Sequence, residues 1–226
     1  MTSPQRYAVL VGLLGSTYRA TTVAVDTLDD ADFERRTRTE AWTVRQLLFH
    51  QLLDAQRALL VFATPDPGPA DTHAVSYWSA WAPGGPDADA HARFVQRASD
   101  AYAGPRGLRA QWRDTSEAVL RTAAAHIGSG CLATQGHVLD VSAFMHTLAV
   151  EGAVHHLDLT LEIPSPGLPD AALDLVDEVL TGLLGEPLPS RWSRREAVLK
   201  GTGRSPLDDV DRGELGPSAD RFPLFG

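Results

Sequence analysis

At 226 residues the chain is long enough for one sizeable core and short for two full domains. Its formal net charge of -9 and pI near 5.3, with no basic run anywhere, exclude a nucleic-acid surface, which needs clustered cations to displace counterions. Cys131 is the single cysteine, which excludes an intramolecular disulfide, a cysteine metal cage and a Cys-x-x-Cys redox pair.

Apolar residues recur at helical spacing from Arg6 to Leu28 and predict a first helix, against which Gly12, Gly15 and several threonines weigh. A polar stretch from Asp29 to Glu40 leads to Thr43-Val44-Arg45-Gln46, a capping-box pattern that predicts a second helix from Thr43, finished by Pro65. Residues 64–87 hold five prolines and three glycines and read as a long loop, in which Tyr77, Trp78 and Trp81 either roof a pocket or pin the loop. Helical pattern returns over Asp89–Ala103 and Leu108–Ile127, punctuated by Gly104-Pro105 and ended by Gly128-Ser129-Gly130. The segment Val138–Leu161 is apolar most of the way round, as a helix central to a bundle is. A further helix is expected over Pro169–Leu184, then a short strand over Arg195–Lys200 and a short helix over Pro206–Leu215. The expectation is a mainly all-α chain: a helix bundle over residues 1–186 with a C-terminal extension, 187–226, packed on it.

No leader pattern precedes the first helix, and no run reaches the roughly eighteen apolar residues of a membrane span, so a soluble cytoplasmic protein without membrane partners is expected. Lys200 is the one lysine among 20 cationic residues, a preference that with abundant alanine suggests a GC-rich source.

Chemistry concentrates in two segments. Glu151 and His155, four apart on the central helix, project from one face, and His50 on the second helix offers another imidazole. Two imidazoles and a carboxylate suit zinc with a fourth position open, the arrangement of a catalytic site. Spacing alone leaves a second reading open: a hydrogen-bonded core histidine beside an ordinary i,i+4 pair. Against that, a carboxylate in the most apolar helix is expensive to bury without a partner. Asp158, three beyond His155, is placed to accept that ring's free N–H, and Asp54, four beyond His50, is expected to do the same for His50. His146 and His156, each five residues from Glu151, are rotated about 140° from its face, and His156 reads as peripheral. His73, His91, His126 and His137 lie in or beside loops and breaks, and solvent-exposed or satisfied roles are expected of them.

At these residues the chain resembles the mycothiol-dependent maleylpyruvate isomerase family, within the DinB-like superfamily of metal-binding four-helix bundles. Trp42-x-Val44-x-x-Leu47-x-x-His50 is similar to one family signature, Glu151-x-x-Val154-His155-x-x-Asp158-Leu159 to a second, and Lys200–Leu207 through Arg221–Leu224 to the closing segment of shorter relatives. The resemblance implies a DinB-like bundle, zinc held by His50, Glu151 and His155, and mycothiol, a low-molecular-weight thiol of actinobacteria, as cosubstrate. The isomerase carries a separate C-terminal domain where this chain has a short tail, so thiol transfer to a small electrophile is expected more than the named isomerisation. Two other functions stay open: metal-dependent hydrolysis, and a non-catalytic metal-binding or ligand-binding bundle.

Overall fold

A computed structural model describes residues 3–39, 41–80, 88–126 and 128–225. In chain order the elements are α1 (Ser3–Asp26), α2 (Val44–Phe62), β1 (Pro65–Asp66), α3 (Ala88–Ser99), α4 (Pro105–Ala125), β2 (Cys131–Thr134), β3 (His137–Asp140), α5 (Val141–Leu159), α6 (Asp170–Leu184), α7 (Arg194–Gly201) and α8 (Asp209–Leu215). The fold is mainly all-α. Helices α1, α2, α4 and α5 form a four-helix bundle in which α5 packs on α1 and α2, and α4 packs on the other side of the same two helices. Helix α3 lies against α2, and α6 docks on α5 and carries α7.

Helix α5 sits at the centre because its apolar residues run all round: every residue but Ser142 and Glu151 is buried. Its first turn is fixed by Asp140, whose Oδ1 accepts the Ala143 N–H at 2.9 Å. Helix α4 opens on Gly104 with Pro105 in its first turn, where the missing proline N–H costs nothing. The fully buried Trp112 joins α4 to α1 by an edge contact to Tyr18, ring centroids 5.1 Å apart, and by a 3.0 Å hydrogen bond from Nε1 to the Thr22 hydroxyl.

Three expectations change on contact with the structure. The expected helix from Val138 begins only at Val141, because Val138–Asp140 belong to a hairpin: β2 and β3 pair antiparallel through Gln135-Gly136, with φ of 49° and 81°, and β1 pairs with β2 to make a small three-stranded sheet. Positive φ at both central residues is what a type I′ hairpin turn demands, and glutamine is an uncommon occupant that hides the signal. The expected strand at Arg195–Lys200 is instead α7, opened by Ser193, whose hydroxyl accepts the Glu196 N–H at 3.2 Å while the Glu196 carboxylate returns to the Ser193 N–H at 2.8 Å. Helix α1 contains an eighteen-residue window with mean hydropathy 1.3, enough by length and composition to cross a membrane; half of that window is buried within the bundle.

Tyr77 and Trp78 pin the long loop. The Tyr77 hydroxyl accepts from Gln135 Nε2 at 3.0 Å, and Trp78 lies 4.6 Å from the Phe225 ring. Trp81 falls outside the described residues.

The residues after Pro187 bring their own apolar group, Trp192, Ala197, Leu215 and Ala219, which packs with Leu184 of α6. Buried Asp211 ties it together, accepting from Lys200 Nζ at 2.7 Å, from Trp192 Nε1 at 2.6 Å and from Arg191. It also exchanges capping bonds with Asp208 at the start of α8. Burial alone pushes the Asp211 carboxyl up, but the bonds from Lys200, the Asp208 backbone and Trp192 outweigh it and hold the group below its ordinary range. A folded pKa lying below the unfolded value of about 3.9 gives stability that is complete above that pH and is lost as pH falls through the folded value. Asp211→Asn is therefore expected to lower unfolding free energy by about 3 kcal/mol at neutral pH, because it leaves the buried Lys200 ammonium without its partner. Denaturant melts should show its gap from wild type narrowing steadily below about pH 4.

Candidate metal centre

Helices α2 and α5 pack side by side, and each is started so that its polar residues face the other. Thr43 is extended and its N–H donates to Gln46 Oε1 at 3.0 Å, which begins α2 and sets His50 two turns in. On α5, Glu151 and His155 lie one turn apart. His50 Nε2 is 3.1 Å from His155 Nε2 and 3.4 Å from Glu151 Oε1, and His155 Nε2 is 3.2 Å from the same oxygen. Three donor atoms from chain positions a hundred residues apart thus share one small volume. Both histidines are buried, and Glu151 keeps partial access to solvent.

These spacings suit a divalent ion. Donors about 2.0–2.1 Å from a tetrahedral zinc stand roughly 3.3 Å from one another, close to all three edges found here. The outer face of each imidazole is also engaged. Asp158 Oδ2 accepts from His155 Nδ1–H at 3.0 Å, so that when a metal displaces the other ring proton it is Nε2 that donates the lone pair. His50 Nδ1 is 3.2 Å from His91 Nε2, so with the His50 Nε2 lone pair turned inward, His50 is the donor and His91 the acceptor. The Trp42 indole covers the group, 4.7 Å from the His50 ring, 6.0 Å from His91 and 6.4 Å from His155.

Electrostatics follow from burial set against pairing. Burial pushes the Glu151 carboxyl up, but the His155 charge and bonds from His155 and His50 hold it well below the usual carboxylate range. Burial pushes His155 down; the Glu151 and Asp158 carboxylates outweigh this and carry it up to about 10. Asp158, fully buried, is kept low against the cost of burial by His155 and by Arg204. Burial lowers His91 and so favours the neutral, accepting ring. Asp54 is pushed up by burial and by Glu151, with His50 offsetting part of the rise.

The structure brings together His50, Glu151, His155 and Asp158 as the sequence spacing expects, and corrects two neighbours. Asp54 does not take the outer N–H of His50: its Oδ2 lies 3.3 Å from Nε2, on the inner side, and a small recess there is lined by Tyr18, Gln51, Asp54, Leu148 and Glu151. The outer position belongs to His91, half-buried near the start of the expected helix over Asp89–Ala103, of which only an exposed or satisfied role was expected. A lone histidine 41 residues from its partner has no spacing signature, so sequence reasoning had nothing to detect it by. His156 is off the site, a buried core residue with Nδ1 3.0 Å from the Thr21 hydroxyl and Nε2 3.1 Å from that of Ser165. His146 is likewise buried and turned away, 3.8 Å from Glu178.

The family model of the mycothiol maleylpyruvate isomerase N-terminal domain matches residues 15–160, well over half of the chain. No curated protein and no solved structure matches it. The chain belongs to the mycothiol maleylpyruvate isomerase N-terminal domain family.

Purified protein treated with chelator is expected to take up one equivalent of zinc or cobalt, and His50→Ala or His155→Ala to lose stoichiometric binding. Asp158→Asn should weaken affinity by about tenfold or more, the usual effect of removing a partner that orients a coordinating imidazole. Competition against a chromophoric chelator measures each value.

Proposed function

We propose that this protein is a metal-dependent enzyme that activates a low-molecular-weight thiol, mycothiol by family, for attack on a small electrophile. The observation that carries the proposal is the convergence of His50, Glu151 and His155 at tetrahedral edge lengths, within the stretch matched by the family model. Two nitrogens and one oxygen suit zinc, and three protein donors leave one position for substrate. When bound, such an ion supplies Lewis-acid activation, lowering the thiol pKa so that sulfur reacts as thiolate near neutral pH.

The chain's own residues hold and shield. His50 and His155 present Nε2, Glu151 adds a charged oxygen, and Asp158 and His91 fix which ring nitrogens carry protons. Trp42 excludes water from the buried side of the rings. Addition of the thiol across an activated double bond breaks its π bond, puts sulfur on one carbon and the thiol proton on the other, and gives a stable conjugate. Where the adduct instead rotates about the new single bond and expels the thiolate, the double bond returns isomerised and the thiol is regenerated. Because the family model describes an N-terminal domain alone, the proposal is the general thiol transfer rather than isomerisation of maleylpyruvate.

One observation supports a second reading. Asp54, 3.3 Å from His50 Nε2, is a carboxylate beyond the three donors, and metal-assisted hydrolysis requires such a base. Zinc-loaded protein assayed with mycothiol and a panel of electrophiles separates the readings. Thiol transfer requires product formation that depends on mycothiol and falls at least a hundredfold in His50→Ala. Equal rates in the two proteins would discard it, and turnover of esters or amides without thiol would favour hydrolysis.

A further inference from the structure

The guanidinium of Arg204 reaches the candidate metal centre from the C-terminal end of the chain. Its Nη2 donates to Asp158 Oδ2 at 3.2 Å, and its Nε lies 3.3 and 3.4 Å from Oδ1 and Oδ2 of the same carboxylate. Asp158 is fully buried and the Arg204 side chain nearly so. The same Oδ2 accepts the Nδ1–H of His155. An unbroken line of charge-assisted hydrogen bonds therefore runs from Arg204 through Asp158 to His155, whose other nitrogen faces His50 and Glu151.

Local geometry holds the arginine in place. After α7 the chain turns through Gly203 at φ 74°, where an added Cβ would stand 3.0 Å from Pro223, so the turn is closed by the last residues of the chain. Arg204 Nη1 donates back to the Thr202 carbonyl at 2.8 Å, Ser205 N–H to the Leu199 carbonyl at 2.9 Å, and Leu224 N–H to the Gly201 carbonyl at 2.8 Å. On its other side Arg38 donates its backbone N–H to the Asp158 carbonyl at 3.2 Å and its guanidinium to the Leu157 carbonyl. Asp158 is thus gripped through both side chain and backbone.

We propose that Arg204 is a positioning residue of the metal centre: it orients the Asp158 carboxylate, and through it the His155 ring, so that the closing segment of the chain tunes metal affinity without touching the ion. The proposal rests on the reading of His50, Glu151 and His155 as ligands. A partner that both neutralises Asp158 and fixes its direction makes the carboxylate a more specific acceptor for Nδ1–H, and so holds Nε2 toward the donor cluster.

The test is a mutant cycle on the full-length protein, read as cobalt affinity by chelator competition together with the visible absorption band of the bound cobalt. Arg204→Gln is expected to weaken binding by about tenfold and to shift the band, since the ring it steers changes angle. Arg204→Lys, which keeps the charge and loses the fork, should recover part of the affinity. The double variant Arg204→Gln/Asp158→Asn should bind no more weakly than Asp158→Asn alone, because both changes act through one carboxylate. If Arg204→Gln proves too unstable to purify, Arg204→Lys with and without Asp158→Asn gives the same cycle. Affinity and spectrum unchanged in Arg204→Gln, or losses that simply add to those of Asp158→Asn, would overturn the proposal while leaving the ligand reading intact. Absence of stoichiometric metal in wild type would overturn both.

Discussion

A charged stripe inside the most apolar helix is the constraint around which this molecule is organised. Glu151, His155 and Asp158 lie on one side of α5, a helix otherwise buried on every face. Ionised groups in such a place are stable only when matched at close range. The surrounding elements supply the matches: α2 brings His50 and Asp54, α3 brings His91, the turn after α7 brings Arg204, and Arg38 covers the carbonyls at the end of α5. Much of the packing of α2, α3 and the closing segment against α5 serves this one need.

The same stripe separates two kinds of histidine that sequence alone presents side by side. His155 and His156 are adjacent, yet one lies between two carboxylates and the other between two hydroxyls. Burial pushes both down. Carboxylates reverse this for His155, while His156, with hydroxyls only, falls to about 4 and stays a neutral core residue. The hundred-degree step of the helix is enough to divide a chemical group from a packing group.

The bundle and the Glu151–His155 pair were legible from spacing because helical periodicity is long and repeated and the two share a helix face, whereas His50, on another helix, was tied to them by the family signature and not by any offset. The capping pattern at Thr43 and Gln46 located the start of α2 to within a residue. Short elements were not legible. The β2–β3 hairpin has four-residue strands and a turn built on glutamine, and α7 is eight residues long with charges on most of its surface, so neither carries a clear period. Within the site, an offset along one helix brought a carboxylate to an imidazole without saying which nitrogen it meets, and contacts between helices carried no offset at all. Asp158 was placed correctly from its offset to His155, whereas Asp54 took the inner side of His50, since the neighbouring His91 and not helix geometry decides which nitrogen it meets.

The order of these groups along the polymer has a consequence for biosynthesis. All three donor side chains, and the carboxylate behind them, have left the ribosome before Arg204, which follows Asp158 by 46 residues, has been added. Any premature stop between those points yields a polypeptide that carries the whole donor set without its distal guanidinium. The finished arrangement exists only in chains translated past Leu224, because Pro223 and Leu224 clasp the turn that carries the arginine.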